Sequence, residues 1–137
     1  MSAPRYIANP PYGEVESWSQ HEFAAIERTL AGIVTDLQPR TQSSTTYTLV
    51  RGDEDILIEN TSGSATTVTV PADSTTNFAI GTLIHLSQEG AGQVTLSPAG
   101  GVTLNSRPGL KSAGQYAMFT VWKRAANSWR AFGDLTT

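Results

Sequence analysis

Near residue 39 the hydrophobic pattern of this chain changes period, and that change splits it into two parts that must fold differently. Ahead of it, apolar side chains recur every three or four residues. From about Tyr47 onward they alternate with polar ones. The first spacing lines one face of a helix; the second lines one face of a strand. The chain therefore reads as a helical segment followed by a β domain over residues 47–137.

Within the β domain the strand candidates are Tyr47–Val50, Ile56–Asn60, Thr66–Val70, Leu83–Gln88, Gln93–Ser97, Val102–Leu104, Gln115–Lys123 and Ser128–Phe132. Gly, Pro, Asn or Asp clusters separate most of them. About eight short strands at near-regular spacing predict a mainly β fold, an antiparallel β-sandwich of jelly-roll type, with a small barrel as the alternative. Tyr116, Met118, Thr120 and Trp122 alternate with Ala117, Phe119 and Val121. A strand apolar on both faces is either central or covered on one side by a neighbouring subunit. No internal repeat stands out.

Residues 17–38 predict an amphipathic helix. Ser17 and Ser19 have Gln20 and Glu22 three residues on, the capping-box spacing, and Pro39 ends the run. Phe23, Ile26, Leu30, Ile33 and Leu37 step by three and four, the a/d seam of a coiled coil. Leu at a and Ile at d lean towards trimers or tetramers. Against this, Glu22 and Glu27 form no attractive flanking pair, and Gly32 costs about 1 kcal/mol relative to Ala. The alternative, that this face packs on the chain's own β domain, stays open. Residues 39–46 read as a polar linker. In residues 1–16, Pro4, Pro10 and Pro11, with Asn9 and Gly13 around the last two, forbid helix and favour an extended arm ending in a turn. Such an arm has little core and either lacks structure or lies on another surface.

The chemistry-bearing residues form no reactive constellation. The net charge is −3, and no Lys/Arg cluster exists to neutralise a row of phosphates, so nucleic acid is not an expected partner. No stretch reaches the roughly 18 apolar residues of a membrane span, and the N-terminus has no signal-peptide core. Without cysteine there is no thiolate ligand or nucleophile. His21 and His85 lack partners at metal-ligand spacing. Ser87 and Asp134 belong to no nucleophile elbow that would make His85 a base. Asp53-Glu54-Asp55 could bind calcium but reads as a solvated hairpin turn, and Arg51-Gly52-Asp53 reads as turn chemistry ahead of an adhesion motif. Gly90-Ala91-Gly92 and Gly100-Gly101 precede no helix and read as turns, not phosphate loops. Trp122 and Trp129 are candidate glycan contacts, since an indole face matches the C–H face of a sugar; the plainer alternative places both in the core or an interface. No catalytic residue, metal ligand or cofactor is expected, and the chain does not read as an enzyme.

Several spaced motifs carry a resemblance. Phe78-Ala79-Ile80-Gly81-Thr82, Gln88 through Thr95, Gly101 through Ser106, Leu110 through Tyr116, Trp129 and Phe132-Gly133-Asp134-Leu135 together resemble a β module common in tailed-bacteriophage structural proteins. Ala8-Asn9-Pro10-Pro11-Tyr12 followed by Trp18 and the helix resembles the start of small phage virion proteins. The resemblance implies a homotrimeric virion component, made in the host cytoplasm and released by lysis, of capsid-decoration, cement or head-fibre type. It implies an arm docking on capsid or tail proteins, with Tyr6, Ile7, Pro10, Pro11, Tyr12 and Trp18 as its contacts. A tail-appendage protein gripping a bacterial surface glycan is the rival expectation.

Overall fold

Strict alternation in stretches such as Thr66-Thr67-Val68-Thr69-Val70 sends Thr66, Val68 and Val70 to one side and Thr67 and Thr69 to the other, and it builds eleven strands across residues 36–137, the part of the chain that the computed structural model describes. They are β1 (Gln38–Gln42), β2 (Thr46–Thr48), β3 (Ile56–Asn60), β4 (Thr66–Val70), β5 (Leu83–Gln88), β6 (Val94–Pro98), β7 (Thr103–Ser106), β8 (Lys111–Ser112), β9 (Met118–Ala125), β10 (Ser128–Gly133) and β11 (Leu135–Thr136). One sheet has the order β1-β3-β5-β9-β10-β7 and the other β11-β8-β6-β4-β2.

The chain passes back and forth between the two sheets. β1, β3 and β5 pair in parallel in one; β2, β4 and β6 pair in parallel in the other. Leu57 lies opposite His85 and Thr66 opposite Val94, the same sequence offset in both sheets. Three successive coils are thus stacked in a solenoid-like way. The later strands close the stack. β9 runs antiparallel to β5 and β10 antiparallel to β9, β7 joins β10 in parallel, and β8 adds antiparallel to β6 with β11 antiparallel to β8.

The core lies between the sheets. Ile58, Ile84, Leu86, Phe119, Val121 and Trp129 come from one, Val68, Val70, Val94 and Leu96 from the other, and Leu49 and Phe78 from the connections. Trp129 meets Phe78 edge to face, with centroids 5.6 Å apart, a favoured aromatic geometry. The opposite face of the five-stranded sheet carries rows of hydroxyls, Thr46–Thr67–Thr95 and Thr48–Thr69–Ser97.

Two devices hold the coils in register. At the corner between β5 and β6, Gly90 and Gly92 press against the corner between β3 and β4. A Cβ on Gly90 would stand 2.3 Å from the Ser62 carbonyl oxygen, and one on Gly92 would stand 1.9 Å from that of Ser64. Only glycine permits this approach. At the ends of the parallel strands a buried amide ladder runs through all three coils. Gln42 Nε2 donates to Asn60 Oδ1 at 2.8 Å, Asn60 Nδ2 donates to the Ser87 carbonyl at 3.0 Å, and Gln88 accepts from Ser112 Oγ. Buried amides are tolerated because each finds a partner.

The mainly β expectation holds, but the antiparallel jelly-roll arrangement does not describe these strands: five of the nine strand pairings are parallel. Alternation reports which residues form strands and is silent on their partners. The polar linker expected at 39–46 is largely strand, since β1 hydrogen-bonds to β3 and β2 to β4. Gln38, expected to end the helix, opens β1 instead, and Pro39 fits there because β1 is a sheet edge. No α-helix occurs among the described residues, where the one helical turn is the 3₁₀ segment Asp53–Asp55. The arm 1–16, Trp18, His21 and the seam residues Phe23, Ile26, Leu30 and Ile33 lie outside the described residues. Leu37 is exposed just ahead of β1.

Candidate functional site

Strand alternation turns one set of side chains of the six-stranded sheet away from the core. Register places Leu83, Trp122, Arg130 and Asn105 in one cross-strand row, on β5, β9, β10 and β7. The neighbouring row holds Leu57, His85, Thr120 and Phe132. Adjacent strands lie about 4.8 Å apart, so side chains within a row are neighbours. Trp122 is 36% exposed and Phe132 49% exposed, and Leu83 and Met118 are exposed on the same sheet. The two rows therefore present aromatic and aliphatic surface to solvent, with arginine among it.

At the β7 edge this face deepens into an open groove of about 490 Å³. Asn105, Ser106, Arg107, Pro108, Arg130 and Phe132 line it. Parallel pairing of β7 with β10 brings Arg107 and Arg130 together, although they are far apart in sequence. The three ion pairs among the described residues lie elsewhere, at Arg40–Asp53, Arg51–Glu54 and Lys123–Asp73. No acidic residue occurs on β7, on β10 or in the loop after β7. The loop is held firmly. Gly109 N donates to Ser106 Oγ at 3.3 Å, and Gly109, with φ 128°, packs so tightly on the Thr136 backbone that a Cβ would lie 2.0 Å from its carbonyl oxygen.

The sequence-derived candidates distribute unevenly over this surface. Trp122 sits on the exposed face beside Arg130. Trp129 is only 1% exposed, wedged against Phe78, so it is a core residue and not a glycan contact. β10 points its alternate residues inward, and Trp129 falls on that side with Ala131. The His85 ring nitrogen Nδ1 bonds the Thr120 hydroxyl at 2.8 Å on the neighbouring strand. Ser87 is fully buried, and its Oγ has no hydrogen-bond partner.

The acidic turn is solvated at Asp55, as expected from sequence, but not at Asp53. Asp53 is 0% exposed. Its carboxylate accepts from Arg40 Nη2 at 2.9 Å, from the Tyr47 hydroxyl at 2.9 Å and from Val50 N at 2.8 Å. The acid of Arg51-Gly52-Asp53 is thus committed inside the fold and is not presented to a partner. Burial and the neighbouring Asp53 charge push the Tyr47 phenol above its ordinary range, partly opposed by Arg40. Burial pulls the Arg40 guanidinium down, but its bonds and attraction to Tyr47 and Asp53 outweigh that and leave it raised. Asp53 therefore clips the first coil to the turn entering the second.

A buried cation performs a similar task. Lys123 is 1% exposed, and its Nζ donates to Asp73 Oδ1 at 2.7 Å, Asn77 Oδ1 at 3.1 Å and the Phe78 carbonyl at 2.7 Å. All three ammonium donors are used, which ties the crossover between β4 and β5 onto β9. Among the described residues no group of three or more His, Asp or Glu is placed to hold a metal ion. The groove beside Trp122 is the arrangement with binding character: fixed backbone, two arginines without acidic partners among the described residues, amide and hydroxyl groups, and exposed rings. Sequence reasoning missed its arginines because only the β7–β10 pairing joins them. Comparison of the chain with protein-family models, curated proteins and solved structures returned no match.

Proposed function

We propose that this chain is a bacteriophage virion structural protein, a homotrimeric capsid-decoration, cement or head-fibre component made in the host cytoplasm and released by lysis. In this reading residues 1–16 dock on capsid or tail proteins, the seam from Phe23 to Leu37 joins three chains, and the β domain projects outward. Three weak arms suffice because the second and third contacts become effectively intramolecular.

The observation that supports it is where the motif residues fall. Gly90 and Gly92 form the stacked corner, Phe78 and Trp129 pair in the core, and Ser112 joins β8 to the amide ladder. Leu135 is buried at the closing strand. Part of the resemblance therefore rests on residues that build the β unit, while other motif residues, Ile80, Tyr116 and Phe132 among them, lie on its surface. Deleting residues 2–16 tests the reading. The shortened chain should stay folded and trimeric yet fail to co-sediment with virions; undiminished co-sedimentation refutes the docking role.

Exposed Trp122 in one row with Arg130 favours a second reading, a tail-appendage or receptor-binding protein whose β domain grips a bacterial surface glycan. Glycan binding abolished by Trp122→Ala, with folding intact, would support it.

A further inference from the structure

We propose that the groove between β10 and the loop following β7 is a binding site for an acidic saccharide, with Arg107 and Arg130 taking the carboxylate of a uronic acid unit and Phe132 and Trp122 flanking its sugar rings. This deepens the glycan-binding reading and rests on it.

Size comes first. A volume of about 490 Å³ lies within the roughly 300–1,000 Å³ typical of small-ligand sites. An open groove suits a segment of polymer passing across it better than an enclosed metabolite. Charge comes next. A guanidinium presents a planar fork that matches a carboxylate or phosphate bidentately. Two such forks line the groove, neither in an ion pair with a carboxylate among the described residues. Arg107 and Arg130 are the charged residues that line the groove, so its lining carries positive charge although the chain's net charge is negative.

The remaining lining narrows the ligand. Asn105 and Ser106 offer an amide and a hydroxyl beside the arginines, fitting hydroxyl-rich neighbours of the acid. Phe132 and Trp122 project from adjacent strands on the same face and offer flat apolar surfaces to the C–H faces of sugar rings. A single-stranded nucleic acid would also use arginines and rings. It carries one phosphate per nucleotide and calls for a longer cationic track, whereas this groove holds two arginines in a chain of net charge −3. A saccharide with an acid at one position matches that count. The site is preorganised, because Gly109 and Ser106 lock the loop that carries Arg107.

The test is titration calorimetry of the full chain against tetramers of galacturonate, glucuronate and mannuronate. Galactotetraose, inorganic phosphate and a single-stranded oligothymidylate serve as the other probes. At least one uronate tetramer should bind, galactotetraose and phosphate more weakly. Arg107→Gln/Arg130→Gln should lose about tenfold or more in affinity, as expected for removing charge-assisted bonds, with an unchanged thermal midpoint. Arg51→Gln, on the turn before β3, should change nothing. Equal affinity for galactotetraose overturns the acidic site while leaving a neutral-glycan module standing. Equal affinity for phosphate, or tighter binding of oligothymidylate, overturns the saccharide assignment. Silence towards all three uronates and galactotetraose removes both this inference and the glycan reading, without touching the virion reading.

Discussion

The stacked corners make the sharpest stability prediction. In Gly92→Ala the new methyl would lie 1.9 Å from the Ser64 carbonyl oxygen and 2.4 Å from its carbon. A comfortable C···O approach is about 3.3 Å, so the two corners must separate by about 1.4 Å. The Gly92 N–H bond to the Ser62 carbonyl, 3.0 Å long, does not survive that separation. Its loss costs about 1 kcal/mol, and forcing apart a packed contact adds about 1–3 kcal/mol, for a total of about 3 kcal/mol. At about 4–8 °C per kcal/mol for a domain of this size, the melting temperature should fall by about 12–24 °C. Gly63, in the corner below, is the control. A Cβ there meets nothing within 4 Å, so Gly63→Ala should stay within about 0.5 kcal/mol of wild type. Urea unfolding followed by circular dichroism measures both. Coincident midpoints for the two variants would refute the stacked corners, because chain stiffening by alanine is common to both and only the contact differs.

Three further outcomes rest on the buried networks and the two tryptophans. Lys123→Met should cost about 3 kcal/mol, read as a lowered urea midpoint, because it strands Asp73 and the Phe78 carbonyl without their donor. For Tyr47, whose phenol is raised on folding, the bonds to Asp53 contribute fully below the unfolded phenol pKa and are lost as pH rises through the folded one. Unfolding free energy should thus be flat with respect to this group through neutral pH and fall in alkali, and Tyr47→Phe should shrink that alkaline fall while costing about 1 kcal/mol at neutral pH; an identical alkaline profile in the variant would exclude Tyr47 as its source. Trp129→Ala should destabilise by about 3–5 kcal/mol, and Trp122→Ala by less than about 1 kcal/mol, in thermal unfolding; the reverse order would mean that the inward and outward faces of the sheet are exchanged.

Local structure was legible in the sequence where side-chain alternation was clean. Ile56–Asn60, Thr66–Val70 and Leu83–Gln88 form strands with the expected bounds. Elsewhere the limits moved. Gln115–Ala117 falls outside β9 because Tyr116 adopts a positive φ of 72° in the turn before it. β1, β8 and β11 went unforeseen, since a polar edge strand holding Pro39 and two pairs of two residues carry almost no periodic signal. Parallel pairing was not legible either, because alternation is the same for either direction. The repeat behind it was present, however. Ile56-Leu57-Ile58 and Ile84-His85-Leu86 are each followed, after a corner of equal length, by Thr66-Thr67-Val68 and Val94-Thr95-Leu96. Sequence divergence in the corners, Thr61 through Ala65 against Glu89 through Gln93, hides it. Of the candidate site, Trp122 was visible as one of two surface-or-core alternatives. Arg107, Arg130, Asn105 and Phe132 were not, for they meet only through β7 and β10. Asp53, read as part of a solvated turn, and Lys123, read only as the end of a strand, show the same limit from the other side: both are buried because folding brings partners that complete their hydrogen bonds.

Cryo-electron microscopy of the particles released by the host tests the functional reading most directly. This chain should stand on the head surface in groups of three, with residues 1–16 against capsid protein and the β7–β10 groove facing solvent. Purified particles lacking the chain, or carrying it as single copies with that groove buried, would contradict the reading.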